Sequence, residues 1–297
     1  MGDLKLFRIK NGVKELVGTS AAMEKSLQIL IENNMEKFFG IKFLASEYST
    51  GKNHGGRIDS LGIDENYCPV ILEYKRALNE NVINQGLFYL DWLMDHKAEF
   101  KLLVMEKLGK DIADKIEWSM PRLLCIAGDF TKFDEYAVKQ INRNIELIRY
   151  KKYEDDLILF ELVNATTASA ETSSDETTSR KTVMENLQQA DRELQDMYYS
   201  LRDFILNLGD DVQEKILKYY IAFKKIRNFA CVEIYPKSKT ILMYLNINPD
   251  EADLKEGFTR DVRNIGHYGT GNLEVRINSK DDIEKAKELI AKSYDEN

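Results

Sequence analysis

The segment NATTASAETSSDETTSRKT, Asn164 to Thr182, has almost no large apolar side chain, so no hydrophobic core can run through it. It reads as a flexible linker over residues 164–183. That divides the 297-residue chain into a domain at 1–163 and a second at 184–297, each long enough to bury its own core. Elsewhere apolar residues come in short runs, none near the roughly 18 needed to span a bilayer. The N-terminus, MGDLKLFRIKNG, shows neither an apolar h-region nor a cleavage site, and Leu6 stands where a myristoylation signal needs Ser or Thr. Cys68, Cys125 and Cys231 are far apart, odd in number and set in apolar runs, which predicts reduced core thiols and a cytoplasmic protein.

Formal net charge is −8. It splits into about −3 for residues 1–163 and about −5 for the remainder, so neither half is a polycation and any nucleic-acid contact has to rest on a local patch.

The first domain opens with two short alternating runs around Asn11-Gly12, a hairpin turn signal. Apolar residues at helical spacing then predict a helix over 21–39. Strand-like IKFLASEYS, RIDSLGID and PVILEYK follow, the last two separated by a turn at 64–66. Then come a helix in NVINQGLFYLDWLMDH, a strand in PRLLCIAGDF, a helix over 135–144 and a final strand pair. The order αβββαβαββ predicts an α/β domain with a mixed sheet packed between helices. In the second domain, helical periodicity runs through VMENLQQADRELQDMYYSLRDFIL and VQEKILKYYIAFK. Strands in ACVEIYPKSKTILMYLNI and NLEVRINS and a closing helix from Asp281 complete a smaller α+β module.

Along PVILEYK the side chains alternate, so Ile71, Glu73 and Lys75 share one face while Leu72 and Tyr74 take the other. Hairpin pairing through the 64–66 turn brings Asp59 alongside, and three charged groups are expected to converge at the sheet edge. A surface ion pair is the plain alternative. It does not account for two acids crowded beside the apolar PVIL. Paired carboxylates repel unless a divalent cation neutralises them, and hard oxygen donors suit Mg²⁺ or Mn²⁺.

Asp59 followed after a spacing of 14 by Glu73-Tyr74-Lys75 resembles the D…(D/E)xK signature of the PD-(D/E)XK nuclease superfamily, and GGRID is similar to its NucS-like, RecB-like branch. That branch carries an acid on the first helix, matched by Glu24, and a Gln and a Tyr on the helix after the ExK strand, matched by Gln85 and Tyr89. The resemblance covers residues 20–163. It implies a restriction-endonuclease-like mixed sheet flanked by helices and a Mg²⁺-dependent endonuclease cutting DNA in defence or repair, with Mn²⁺ as a possible substitute and a homodimer as a possible assembly. It also implies metal contacts from Asp59, Glu73, the Tyr74 carbonyl and Glu24, with Lys75 positioning water. Read from the pattern alone, Glu24 is either such a ligand or a solvated helix-face acid. Gln85 and Tyr89 are either a polar edge of the site, on phosphate or on Lys75, or a surface group and a core ring. The family's first motif is often followed by a continuous apolar run, whereas Ser60 follows Asp59 here; strand alternation points Ser60 away.

STGKNHGGR is not a phosphate loop, because Ser46 and Asn53 stand where Gly and Ser/Thr are required. As a polar basic loop entering the Asp59 strand it offers Lys52, His54 and Arg57, with Arg76 beyond Lys75, as substrate-binding residues; for Lys52 and His54 an ordinary surface loop is the equal alternative, while Arg57, two before Asp59, is expected to face the site. NIGHYGTGN, 264–272, reads as a turn, and Tyr219 to Lys239 as either a basic patch or a solvated helix end. The second domain resembles a small module labelled a "predicted transport protein", for which recognition or assembly is the expected role beside a nuclease. A non-cutting nucleic-acid-binding or regulatory protein on the same fold is the alternative, and a solute-binding protein a third.

Overall fold

The computed structural model describes residues 4–20, 24–75, 82–154, 156–166 and 181–297, without the side chains of Glu24 and Asn53. The chain forms two compact units, Met1–Glu171 and Thr172–Asn297. Among the described residues no helix is long and apolar enough to cross a membrane.

In the first unit the elements are β1 (Leu6–Arg8), β2 (Lys14–Leu16), β3 (Gly18–Thr19), α1 (Glu24–Phe39), β4 (Ile41–Ser49), α2 (Gly51–His54), β5 (Arg57–Asp64), β6 (Pro69–Lys75), α3 (Val82–Asp95), α4 (Lys97–Leu108), α5 (Lys110–Ala113), β7 (Arg122–Ala127), α6 (Lys132–Lys139), β8 (Asn144–Tyr153) and β9 (Leu157–Ala165). The expected Asn11-Gly12 hairpin joins β1 to β2, with both turn residues at positive φ. The main sheet runs β3-β8-β7-β6-β5-β4, and β9 pairs with β8. β4, β5 and β6 are antiparallel neighbours, while β6, β7 and β8 run parallel, so the sheet is mixed.

Helix α1 packs over β4, β5 and β6, and α3 over β6 and β7. Strand alternation separates the two faces. The Ser60 hydroxyl donates to Glu32 of α1 at 2.6 Å and accepts from the Tyr74 hydroxyl at 3.0 Å, whereas Leu61 and Ile71 enter the α3 core with Leu90, Leu93 and Leu123. Gly86 lets α3 lie directly on β7, since a Cβ there would stand 2.4 Å from Leu123. At the opposite end from Lys75, fully buried Arg122 bonds Asp64 at 2.7 Å and Glu146 at 2.8 and 2.9 Å, tying β5, β7 and β8 together.

The second unit holds α7 (Val183–Gln189), α8 (Arg192–Leu206), β10 (Gln213–Ile216), β11 (Ile221–Lys224), β12 (Asn228–Tyr235), β13 (Thr240–Leu245), β14 (Thr259–Asp261), β15 (Leu273–Ile277) and α9 (Lys280–Glu296). Its sheet is antiparallel in the order β10-β11-β12-β13-β15-β14, and Leu194, Leu201, Phe223, Val232, Met243 and Ile290 share its core.

Several expectations need correction. The carboxylates do not sit at the sheet edge: β5 and β6 are interior, and β4 closes that side. VQEKILKYYIAFK is not a helix but a β10–β11 hairpin. The expected 135–144 helix is α6, started earlier by a Thr131–Asp134 capping box, and Asn144 already belongs to β8. Helices α4 and α5 add to the expected order between α3 and β7. The expected linker over 164–183 is overlapped at both ends, because β9 continues through Ala165 and α7 starts at Val183 behind a Thr182–Glu185 capping box.

Candidate active site

The β5–β6 ladder ends at the pair Ser60 and Leu72. Beyond it, side chains take over the main-chain donors: the Asp59 N–H donates to Glu73 Oε1 at 3.2 Å, and the Tyr74 N–H donates to Asp59 Oδ2 at 3.0 Å. Gln28 of α1 adds a bond from its amide to the Asp59 carbonyl at 2.8 Å. The two carboxyls are thereby fixed side by side on the α3 face.

Glu73 is 0% exposed, and its Oε2 has no hydrogen-bond partner among the described residues. Burial, then the neighbouring Asp59 charge, pushes its carboxyl up to about 9. Burial likewise raises Asp59, against the pull of the Tyr74 N–H and of Lys75, whose charge favours ionisation of both acids. A buried oxygen without a donor is costly, and a cation or a proton removes the cost. Among the described residues no three His, Cys, Asp or Glu side chains form a ligand cluster; Asp59 and Glu73 are the two carboxyls brought together there. Two carboxylates completed by a main-chain carbonyl and water fit Mg²⁺, which keeps several waters in most protein sites. Cys125 pairs with Glu73 across β6 and β7, and burial raises its thiol far from a reactive thiolate.

Glu47 escaped the sequence reading. The β4–β5 pairs Ser46–Ser60 and Tyr48–Ile58 set it opposite Asp59, and its φ of 53° is left-handed, rare for a side chain inside a strand. Lys25 bonds it at 2.9 Å and Arg57 approaches it to 2.5 Å; the Lys25 bond, chiefly, lowers its carboxyl, and its charge raises Asp59. Arg57 thus engages Glu47.

The Tyr89 hydroxyl accepts the Arg57 N–H at 3.1 Å and the Gln85 amide at 3.2 Å, and its ring fills the space a Cβ on Gly56 would need, 2.5 Å away. These two residues therefore hold the loop entering β5. Lys52 is exposed on α2, and the His54 ring lies 4.7 Å from that of Phe88. The Glu24 side chain and all of Arg76 lie outside the described residues. In the second unit His267 stacks on Tyr244 at 4.1 Å, a packing role. Lys224 is buried, and Lys225 donates to the Tyr294 carbonyl at 2.6 Å, so these two do not form an exposed basic face.

A Haemophilus influenzae protein, described only as uncharacterised, is 30% identical over 301 residues, covering 97% of this chain and 98% of its own. The chain belongs to that protein's family. Residues 183–297 match the family described as a domain of unknown function, DUF5655. Among solved structures, an EndoMS–dsDNA2 complex is 23% identical over 46% of this chain and 47% of its own, with a TM-score of 0.26. A repair endonuclease from Pyrococcus abyssi is 17% identical over 49% and 60%, with a TM-score of 0.29. The chain spans about half the length of the first and three fifths of the second.

Proposed function

We propose that this chain is a metal-dependent nuclease of the PD-(D/E)XK superfamily that hydrolyses phosphodiester bonds of DNA. One observation carries the reading: a fully buried glutamate with an unbonded oxygen is locked beside a second carboxyl, with a lysine next along the same strand face. Asp64 and Glu146 are neutralised by Arg122, whereas the Asp59–Glu73 pair has a shared proton, which a bound cation would replace.

Asp59, Glu73 and the Tyr74 carbonyl would hold Mg²⁺ or Mn²⁺. When bound, the ion would offset the paired negative charge and the charge developing at the scissile phosphorus. Lys75 holds and orients the attacking water and offers a proton donor near the phosphate oxygens. Tyr89 and Gln85 fix the main chain at Arg57, and through it the position of Asp59 two residues on. Lys52 and His54 on α2 supply contacts to the substrate backbone. The second unit serves recognition or assembly.

The test is cleavage of supercoiled plasmid, linear duplex and single-stranded DNA with Mg²⁺, Mn²⁺ or EDTA. Metal-dependent products support the reading. Binding without cutting in every metal turns it into a regulatory protein on a nuclease fold.

A further inference from the structure

Helix α6 carries its aromatic side chains on the outside. Only Val138 is buried, while Phe133 is 72% and Tyr136 67% exposed. At 3.6 residues per turn, Lys132, Phe133, Tyr136 and Lys139 share one outward face. The Lys132 ammonium lies 5.2 Å from the Phe133 ring centre and that of Lys139 5.5 Å from Tyr136. Of the nearby acids, Asp134 caps the helix, Asp129 bonds Arg149 at 2.8 Å, and Glu135 is half-buried with its Oε1 out of solvent.

The position of this face relates it to the carboxylates. β7 runs parallel to β6 with Ala127 paired to Lys75, and α6 begins five residues after Ala127. The helix therefore leaves the sheet at the Lys75 end. Val138 shares one core with Leu90 and Leu93 of α3 and with Leu61, Ile71 and Cys125 of the sheet, so α6 lies on the face that bears Asp59 and Glu73.

We propose that this face of α6 binds single-stranded DNA beside the cleavage centre, Phe133 and Tyr136 stacking on unpaired bases while Lys132 and Lys139 take the adjoining phosphates. The inference deepens the nuclease reading and rests on it for its purpose. Exposed rings favour unpaired strands, because a duplex stacks its base faces against one another, and the lysines beside them complement the phosphate backbone. The substrate class is single-stranded or frayed DNA.

Fluorescence anisotropy in EDTA, where nothing is cut, tests it with a labelled single strand, its duplex, the same sequence as RNA and an abasic strand of equal length. Wild type is expected to prefer the base-bearing DNA strand. Phe133→Ala/Tyr136→Ala should lose about tenfold or more on that strand and match wild type on the abasic one. Lys132→Gln/Lys139→Gln should weaken both strands alike. Far-UV circular dichroism and melting verify that these exposed substitutions leave the fold intact. Equal wild-type affinity for abasic and base-bearing strands overturns the inference. So do unchanged binding by the aromatic variant, tighter binding of RNA, no DNA binding at all, or a wild-type dimer that the aromatic variant converts to monomer. Binding as described by a protein that never cuts leaves the inference standing and removes the nuclease reading alone.

Discussion

Asp59 and Glu73 are coupled through main-chain donors: Glu73 Oε1 accepts the Asp59 N–H at 3.2 Å, while Asp59 Oδ2 accepts the N–H of the residue after Glu73 at 3.0 Å. Neither carboxyl can move away without depriving a main-chain N–H of its acceptor. The arrangement that joins β5 to β6 also brings two acids together, a cost that the proposed cation would offset.

That cost predicts a pH dependence. Glu73 titrates near 9 in the folded chain against an ordinary 4.5, so between those values the folded state holds a proton that the unfolded state has released. Stability of the metal-free protein therefore falls as pH rises through that window, and the raised Asp59 adds in the same direction. Urea midpoints in EDTA should decline from pH 5 to pH 9. Glu73→Gln should flatten the slope and be the more stable protein at pH 8, whereas a less stable variant there would refute the assignment. Added Mg²⁺ should stabilise wild type increasingly as pH rises, because the cation takes the place of the proton.

Tyr89 acts on the site through the backbone. Tyr89→Phe removes the acceptor for the Arg57 N–H, so cleavage should fall about tenfold while unfolding free energy changes by about 1 kcal/mol. Gly56→Ala should cost stability as well, since its Cβ would meet the Tyr89 ring at 2.5 Å. Activity of Tyr89→Phe equal to wild type would show that the loop needs no such support.

The Arg122 network lies at the far end of the sheet and should affect folding alone. Arg122→Ala leaves Asp64 and Glu146 buried without their cation and should destabilise by about 3–5 kcal/mol in urea unfolding. Activity per folded molecule should be retained.

The second unit has its own core, running from Val183 to Ile290. A fragment of residues 181–297 should unfold cooperatively with a dispersed NMR spectrum. A fragment without a cooperative transition would contradict this division of the chain.

Sequence reading reached the central pair because strand alternation and a tight turn are local: Glu73 and Lys75 fall on one face by counting, and the 64–66 turn brings Asp59 across. It missed Glu47, whose place opposite Asp59 depends on an irregular β4–β5 register near Phe43 and on a left-handed backbone. It put the site at an edge because nothing local announces the parallel partner β7. The stretch from Val212 to Lys224 reads as a helix since Val212, Ile216, Leu217, Tyr220 and Ile221 fall at helical spacing. The chain instead forms two four-residue strands, each paired across its length. Helix α4 gave little signal because only Phe100 and Val104 are buried.

The most direct measurement is single-turnover cleavage of a 5′-labelled DNA strand in Mg²⁺ by wild type, Glu73→Gln and Lys75→Ala. The account predicts cleavage by wild type that EDTA abolishes, with loss of at least about a hundredfold in either variant while the strand is still bound. Cutting that survives Glu73→Gln, or wild type that binds DNA and leaves it intact in both Mg²⁺ and Mn²⁺, would contradict it.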